Sequence, residues 1–327
     1  MKRWDWTWEE PRPRGRSEQQ SRPIAPPGVA RPAHAPLRAF RRRRRAAAAG
    51  LVAILALLIL AITSHGKGRA GPSPTGSHPA TRQAVPARLS AAEGNALSDQ
   101  SQNRAVDRVL SYTPVVTEGG SKGDEVALTF DDGPGPYTER LVGALNRLHV
   151  RATFFQVGEE ERYFSGGTLL ELRSGDVVGD HTETHPMMAR LSRHDQHEEL
   201  FEQIARIELL GGPRPRLFRP PYGSFNATTF KELRAMRLLM VLWSTDTRDF
   251  ALPGVQAIVQ SALAGAHPGA IILMHDAGGD RSETVAALPA IVAGLRARGL
   301  RPVTIPRLML DDPPPAGRPI PTSLAGD

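Results

Sequence analysis

The chain has 327 residues, room for one large domain or two small ones, and its 40% hydrophobic and 23% charged content is ordinary for a globular protein. The absence of cysteine excludes disulfides, thiolate-ligated metal sites and a cysteine nucleophile. The net charge of +7 comes from one segment: residues 1–45 hold 13 Lys/Arg against four acids, and the remainder sums to −2, which argues against a nucleic-acid-binding fold because such folds carry their basicity on the folded domain.

Residues 1–45 are rich in Pro, Arg and Gln, lack apolar periodicity, and are expected to form a disordered, basic, cytoplasmic tail; Trp4, Trp6 and Trp8 alternate with polar residues inside it. Arg41 to Arg45 are followed by eighteen uncharged residues, 46–63. At about 1.5 Å per residue such a helix nearly matches a bilayer core of about 30 Å, so 46–64 is expected to be a single transmembrane anchor. The arginines place its N-terminal side in the cytoplasm and the rest of the chain outside the plasma membrane. A cleavable signal peptide is the competing reading, but its basic region would be unusually long and Ala61-Ile62-Thr63 makes a poor cleavage site. Residues 65–120, dominated by Gly, Ser, Pro, Ala and Thr, are expected to be a flexible extracytoplasmic linker spanning roughly 40 Å.

From 121 to 310 strand-like runs alternate with helical ones. Strands are expected at 126–130, 152–157, 176–179, 217–219, 238–243, 270–273 and 302–304. Helices are expected at 138–148, 168–174, 195–210, 228–236, 255–264 and 283–298. Such alternation implies parallel strands joined by helical crossovers, an α/β fold. About seven units in this length suit a distorted (β/α)7-type barrel, with a doubly wound open sheet as the structural alternative. Residues 311–327 are expected to be a disordered tail.

The polar residues of this region gather at five strand ends, where such folds place their chemistry. The run 126–130 ends in Asp131-Asp132-Gly133-Pro134; two adjacent carboxylates repel unless a cation or proton is shared. His181-Thr182-Glu183-Thr184-His185 offers two histidines that one helical turn would aim at a single metal, with Glu183 pointing away. A third ligand must then come from elsewhere, and Asp132 is the obvious donor. Arg219-Pro220-Pro221-Tyr222-Gly223 is a rigid loop whose Arg can orient a carboxylate and whose N–H groups can meet an oxyanion. Trp243 is followed by Asp246 and Asp249-Phe250, and Leu273-Met274-His275-Asp276 ends a buried strand in a histidine that Asp249 could partner. His194 and His197 are expected to be a surface pair.

Taken together, TFDDGP, HTETH, RPPYG, DTRDF and LMH, in this order, make residues 122–305 resemble the polysaccharide deacetylase family, carbohydrate esterase family four. The resemblance implies Asp131 as general base, Asp132, His181 and His185 as ligands of a divalent metal, zinc or cobalt, and Arg219 as the residue orienting Asp131. It implies that the Tyr222 N–H, beside Pro220, helps to hold an oxyanion, that Asp249 tunes the general acid His275, and that Leu273, with Trp243 a second candidate, lines a pocket for the acetyl methyl. Phe250 stands where the family usually has Trp. The implied function is N-deacetylation of an extracytoplasmic polysaccharide, foremost peptidoglycan. A chitooligosaccharide or exopolysaccharide deacetylase, an O-acetyl esterase, and an inactive glycan-binding protein are the alternatives. No nucleic-acid partner is expected.

Overall fold

The structure, a computed structural model, describes residues 91–321, with side chains from residue 100 onward. The basic tail and the 46–64 anchor lie outside the described residues, among which no helix is long and apolar enough to cross a membrane.

Among the described residues, nine parallel strands and eight α-helices follow one another. The order is α1 (Ala91–Leu110), β1 (Val115–Val116), β2 (Glu125–Asp131), α2 (Thr138–Arg147), β3 (Thr153–Gln156), α3 (Glu161–Ser174), β4 (Val177–Asp180), α4 (Arg193–Leu209), β5 (Leu217–Phe218), α5 (Ala227–Met236), β6 (Leu239–Val241), β7 (Thr245–Asp246), α6 (Val255–Ala264), β8 (Ile271–His275), α7 (Ser282–Ala297), β9 (Arg301–Val303) and α8 (Ile305–Asp311). The ladder runs β1-β6-β5-β4-β3-β2-β8-β7, with β9 beside the first half of β2. β6 and β7 are consecutive pieces of one stretch of chain; the first pairs with β5 and the second with β8. The sheet therefore curls around an interior, a parallel α/β half-barrel consistent with the expected (β/α)7 barrel.

Side-chain alternation along β2 explains why this strand is the centre. Val126, Leu128 and Phe130 point outward into a core shared with Leu141 and Leu145 of α2 and Leu288, Ile291 and Leu295 of α7. Phe130 stacks on Phe154 of β3 with ring centroids 5.2 Å apart. Ala127, Thr129 and Asp131 point the other way, so a strand buried on both faces delivers its last carboxylate to the interior. β8 does likewise: Ile272 and Met274 pack outward, while Leu273 and His275 share the inner face.

Most expected elements appear within a few residues. The short helix expected at 168–174 begins earlier, at Glu161, across a kink at Phe164. Two larger corrections lie at the ends of the body. The linker expected over 65–120 is structured from Ala91 onward, since α1 buries Ala105, Val106 and Val109 against Ile305, Leu308 and Met309 of α8, and β1 pairs with β6. The tail expected from 311 is likewise placed at its start. Asp312 accepts the Lys122 and Gly123 N–H groups, each at 2.7 Å, and Tyr112 donates to the Pro314 carbonyl at 2.8 Å. Composition hid both, because few apolar residues among Ala, Gly, Ser and Pro suffice when the covered surface is already apolar.

Asp312 is buried and closes two backbone donors of the 119–123 loop. Asp312→Ala leaves both without a partner and is expected to lower unfolding free energy by roughly 1–3 kcal/mol in urea titration; an unchanged midpoint would show that water replaces the carboxylate without cost.

Candidate active site

The two aspartates that end β2 part at once. Asp131 keeps extended strand geometry, whereas Asp132 has φ +73°, a left-handed backbone that swings its carboxylate away. Asp131 accepts a hydrogen bond from Arg219 Nη1 at 2.7 Å. Arg219 is fully buried, and its other donors go to Thr129 Oγ1 (2.8 Å), the Val241 carbonyl (3.0 Å) and the Leu242 carbonyl (3.1 Å). Its guanidinium lies 4.2 Å from the Phe155 ring centroid and 5.7 Å from that of Trp243. Burial lowers the Arg219 pKa and the Asp131 charge opposes that fall. The resulting carboxylate is fixed in place by a cation that has no other acid to serve.

Asp132 turns to the histidines. Its Oδ1 lies 3.1 Å from His185 Nε2 and 3.6 Å from His181 Nε2. Burial opposes its ionisation, but these two rings hold its carboxyl well below the usual range. The expectation that one helical turn aligns the histidines is corrected: His181 to His185 form a loop, with Thr182 at φ +71° and His185 at φ +57°. The loop is pinned by Thr182 N–H donating to Asp180 Oδ1 (2.7 Å) and His185 N–H to Thr182 Oγ1 (3.0 Å). Glu183 points away as expected, into ion pairs with Arg162 and Arg206.

Among the described residues, Asp132, His181 and His185 form the one group able to share a metal ion, their ligand atoms lying within 4.8 Å of one another. Each ring meets a second partner through Nδ1, the Arg219 carbonyl at 2.7 Å for His181 and the Tyr222 hydroxyl at 3.1 Å for His185. Such contacts leave Nε2 as the ligand nitrogen and fix the ring plane. Two imidazoles and one carboxylate thus fit a divalent cation. His197 is instead held by Glu232 Oε2 at 3.0 Å, in keeping with the surface pair expected there.

His275 ends β8 directly beside Asp131 in register. Its Nδ1 meets Asp249 Oδ1 at 2.7 Å, and its backbone N–H donates to Asp249 Oδ2 at 2.9 Å. Asp249 also accepts the Thr284 hydroxyl at 2.7 Å; burial opposes its ionisation, but His275 and these hydrogen bonds hold its carboxyl below the usual range. Burial alone would pull the His275 pKa down. Asp249, then Asp132 and Asp131, outweigh it and hold the ring up to about 9. Phe250 packs edge-on against His275, with centroids 5.6 Å apart at 79°.

The remaining expected residues fall where the fold puts them. Pro220 and Pro221 lead into a single turn in which Tyr222 takes φ +58° and stands at the exposed rim. Leu273 shares the inner face of β8 with His275, and Trp243 lies half-buried beside Arg219. Three contributors were not foreseen. Thr284 lies 35 residues from the carboxylate it meets, and Thr129 carries no mark in the sequence beyond its place in a strand. Asp276, beside His275, is buried, accepts the Thr138 hydroxyl, and is raised by burial to about 7.

Comparison with known proteins identifies this arrangement. The polysaccharide deacetylase family profile matches residues 118–241. A peptidoglycan-N-acetylglucosamine deacetylase of Bacillus cereus is 37% identical over 187 residues, covering 56% of this chain and 87% of that one. A chitooligosaccharide deacetylase of Sinorhizobium fredii is 34% identical over 202 residues, covering 58% of this chain and 94% of that one. A crystal structure of a peptidoglycan N-acetylglucosamine deacetylase superposes with TM-score 0.59 at 32% identity, covering 62% of this chain and 95% of that one. The site and the half-barrel are those of carbohydrate-active hydrolases that remove acetyl groups. The chain belongs to the polysaccharide deacetylase family, carbohydrate esterase family four.

Since the folded His275 pKa of about 9 exceeds that of an unfolded histidine, its pairing stabilises the metal-free protein fully below about pH 6.5 and is lost as pH rises through about 9. Asp249→Asn removes the largest of the charges responsible. Its imidazole is expected to bind protons at least about tenfold more weakly in an NMR titration of metal-free protein; an unmoved midpoint would mean that Asp249 does not set the ring's basicity.

Proposed function

We propose that this protein is a metal-dependent N-deacetylase of N-acetylhexosamine units in an extracytoplasmic polysaccharide, most fittingly peptidoglycan. The observation that carries this reading is the separation of Asp131 and Asp132: one adjacent carboxylate is bound by Arg219 and the other by two histidines. Asp132, His181 and His185 would hold the cation, with zinc or cobalt suited to two imidazoles and one carboxylate. When bound, such an ion polarises the acetyl carbonyl and acidifies water at the site.

The protein's own groups supply the proton transfers. Asp131 accepts the proton of the water that adds to the acetyl carbon, and Arg219 keeps its carboxylate aimed. The Tyr222 N–H would share the oxyanion's charge. His275, cationic at neutral pH and fixed through Nδ1, presents Nε2 and donates its proton to the sugar nitrogen as the carbon–nitrogen bond breaks. Acetate and a free amine result. An amide nitrogen leaves poorly unless protonated, so the site needs both a base and an acid, and both are present. Leu273 and Trp243 supply apolar surface for the methyl group, and Phe250 walls the His275 side.

Location supports the peptidoglycan reading. Arg41 to Arg45 and the uncharged run 46–63 support a single-pass plasma-membrane anchor with the N-terminus in the cytoplasm. The catalytic body then stands outside, within reach of wall polymer. The relatives carry names of peptidoglycan and chitooligosaccharide deacetylases, which supports an N-acetylglucosamine unit in either polymer.

Protein supplied with zinc or cobalt is expected to remove one acetyl per modified sugar from peptidoglycan fragments, read by mass spectrometry. Asp131→Asn is expected to lower the rate by at least about a thousandfold while retaining metal. Equal wild-type and variant rates on peptidoglycan, chitin oligomers and O-acetylated glycans would remove the deacetylase assignment. Separately, His181→Ala is expected to lose stoichiometric metal by elemental analysis, and full retention would refute the Asp132–His181–His185 ligand set.

A further inference from the structure

The end of the half-barrel opposite the catalytic residues holds a second concavity, of about 1080 Å³. It forms where the strands begin, from the chain entering β3, β4 and β5, together with β9 and the exposed edges of α1 and α8. β4 starts at this cavity with Val177 and ends at Asp180, next to His181, so the two sites are separated by the length of one strand, roughly 10 Å.

Its charge is the unusual feature. Six arginines line it, Arg151, Arg214, Arg216, Arg296, Arg301 and Arg307, against a single acid, Asp176. The surrounding body runs the other way, because residues 91–321 hold 24 Lys/Arg and 29 Asp/Glu. Four of the arginines have carboxylates at the rim: Arg216 with Asp107, Arg301 with Glu125, Arg307 with Asp311 and Arg214 with Glu208. Arg151 and Arg296 make no ion pair among the described residues. Arg151 donates to Asn146 Oδ1 at 2.6 Å and Arg296 to the Leu148 carbonyl at 2.7 Å. Both stand at the C-terminal end of α2, where their hydrogen bonds go to amide oxygens. Asp176, the one acid of the lining, accepts the Ala152 N–H and feels the Arg151 charge, so a single negative charge faces six positive ones.

The shape restricts the ligand. A cavity of about 1080 Å³ far exceeds one phosphate, and its guanidiniums come from four stretches of chain, around Arg151, Arg214 and Arg216, Arg296, and Arg301 and Arg307. A flat bilayer surface cannot enter a concavity, whereas an extended chain can lie in it. Guanidinium forks match the paired oxygens of phosphate. We propose that this cavity binds a linear polyanion with charged phosphate groups repeated along its backbone, at a site separate from the one where acetyl groups are removed. Such a site holds the catalytic body against an anionic matrix while the opposite end works on its substrate. It does not depend on which sugar is deacetylated.

Inorganic polyphosphate is the probe, and its binding to the full-length protein in detergent is read by fluorescence anisotropy over a salt series. Arg41 to Arg45 are replaced by Gln in every sample, so that the basic tail does not mask the cavity. Arg151→Gln/Arg296→Gln is expected to bind about tenfold more weakly, with a salt dependence shallower by about one to two in slope. Polymer is expected to slow amide exchange over 149–151 and 299–303 in the parent only. Equal affinity of parent and variant overturns the proposal, as does protection confined to other segments. So does a preference for phosphatidylglycerol vesicles over polyphosphate. Melting temperature and metal content check the fold, and if the double variant melts early, Arg296→Gln alone carries the comparison. Deacetylation of a short soluble substrate, served by the other end, is expected to be unchanged; its loss together with binding would mark a folding defect, which the single variant then resolves.

Discussion

Everything at the catalytic end depends on the buried contact between Arg219 and Asp131. A fully buried guanidinium is costly, and this one is tolerated because each of its three nitrogens meets at least one acceptor: one carboxylate, one hydroxyl and two carbonyls in all. Those acceptors come from β2 and from the bent stretch linking β6 and β7, so the side chain ties the inner faces of three strands together. The same residue offers its backbone carbonyl to His181. A single arginine thereby positions both Asp131 and His181. Its removal would leave a buried carboxylate unpaired, a loss of several kcal/mol for similar buried pairs.

Around that contact the charges divide into two independently satisfied sets. Asp131 and Asp132 are neighbours in sequence, yet a positive φ at the second directs them to different partners. On the other side of the cleft, Asp249 has no role visible except to hold His275 and keep it protonated. His275 is therefore held as a cation at neutral pH, as the departure of an amine in the proposed reaction requires. The strained backbone at Asp132, Thr182, His185 and Tyr222 lies at these residues, as expected where geometry is imposed by the surrounding fold. At the far end, where strands begin, four of six guanidiniums are paired with carboxylates while Arg151 and Arg296 are not, and surplus positive charge collects.

Much of the body was readable in advance. Alternating apolar runs located the strands that carry site residues, because β2 and β8 are buried on both faces and their sequences are continuous and apolar. The cluster of Asp132, His181 and His185 was readable because histidines and aspartates gather at strand ends. Helix geometry was the wrong reason for grouping His181 with His185, however: a loop pinned by Asp180 and Thr182 brings them together. α1, α8 and the placed start of the C-terminal segment were missed, since their few apolar residues acquire meaning only against one another. Thr284 and Thr129 were missed because a hydroxyl has no distinguishing pattern until its partner is known.

By itself the sequence determined the parallel α/β class, the order of the chemical motifs and the identity of the polar groups, because periodicity and residue type are local properties. Tertiary structure alone decided which aspartate meets arginine and which meets histidine, that Asp249 lies under His275, and that six arginines scattered from Arg151 to Arg307 line one cavity. Those relations depend on strands curling until β6 and β7 face β5 and β8, a closure made by contacts between residues far apart in the chain.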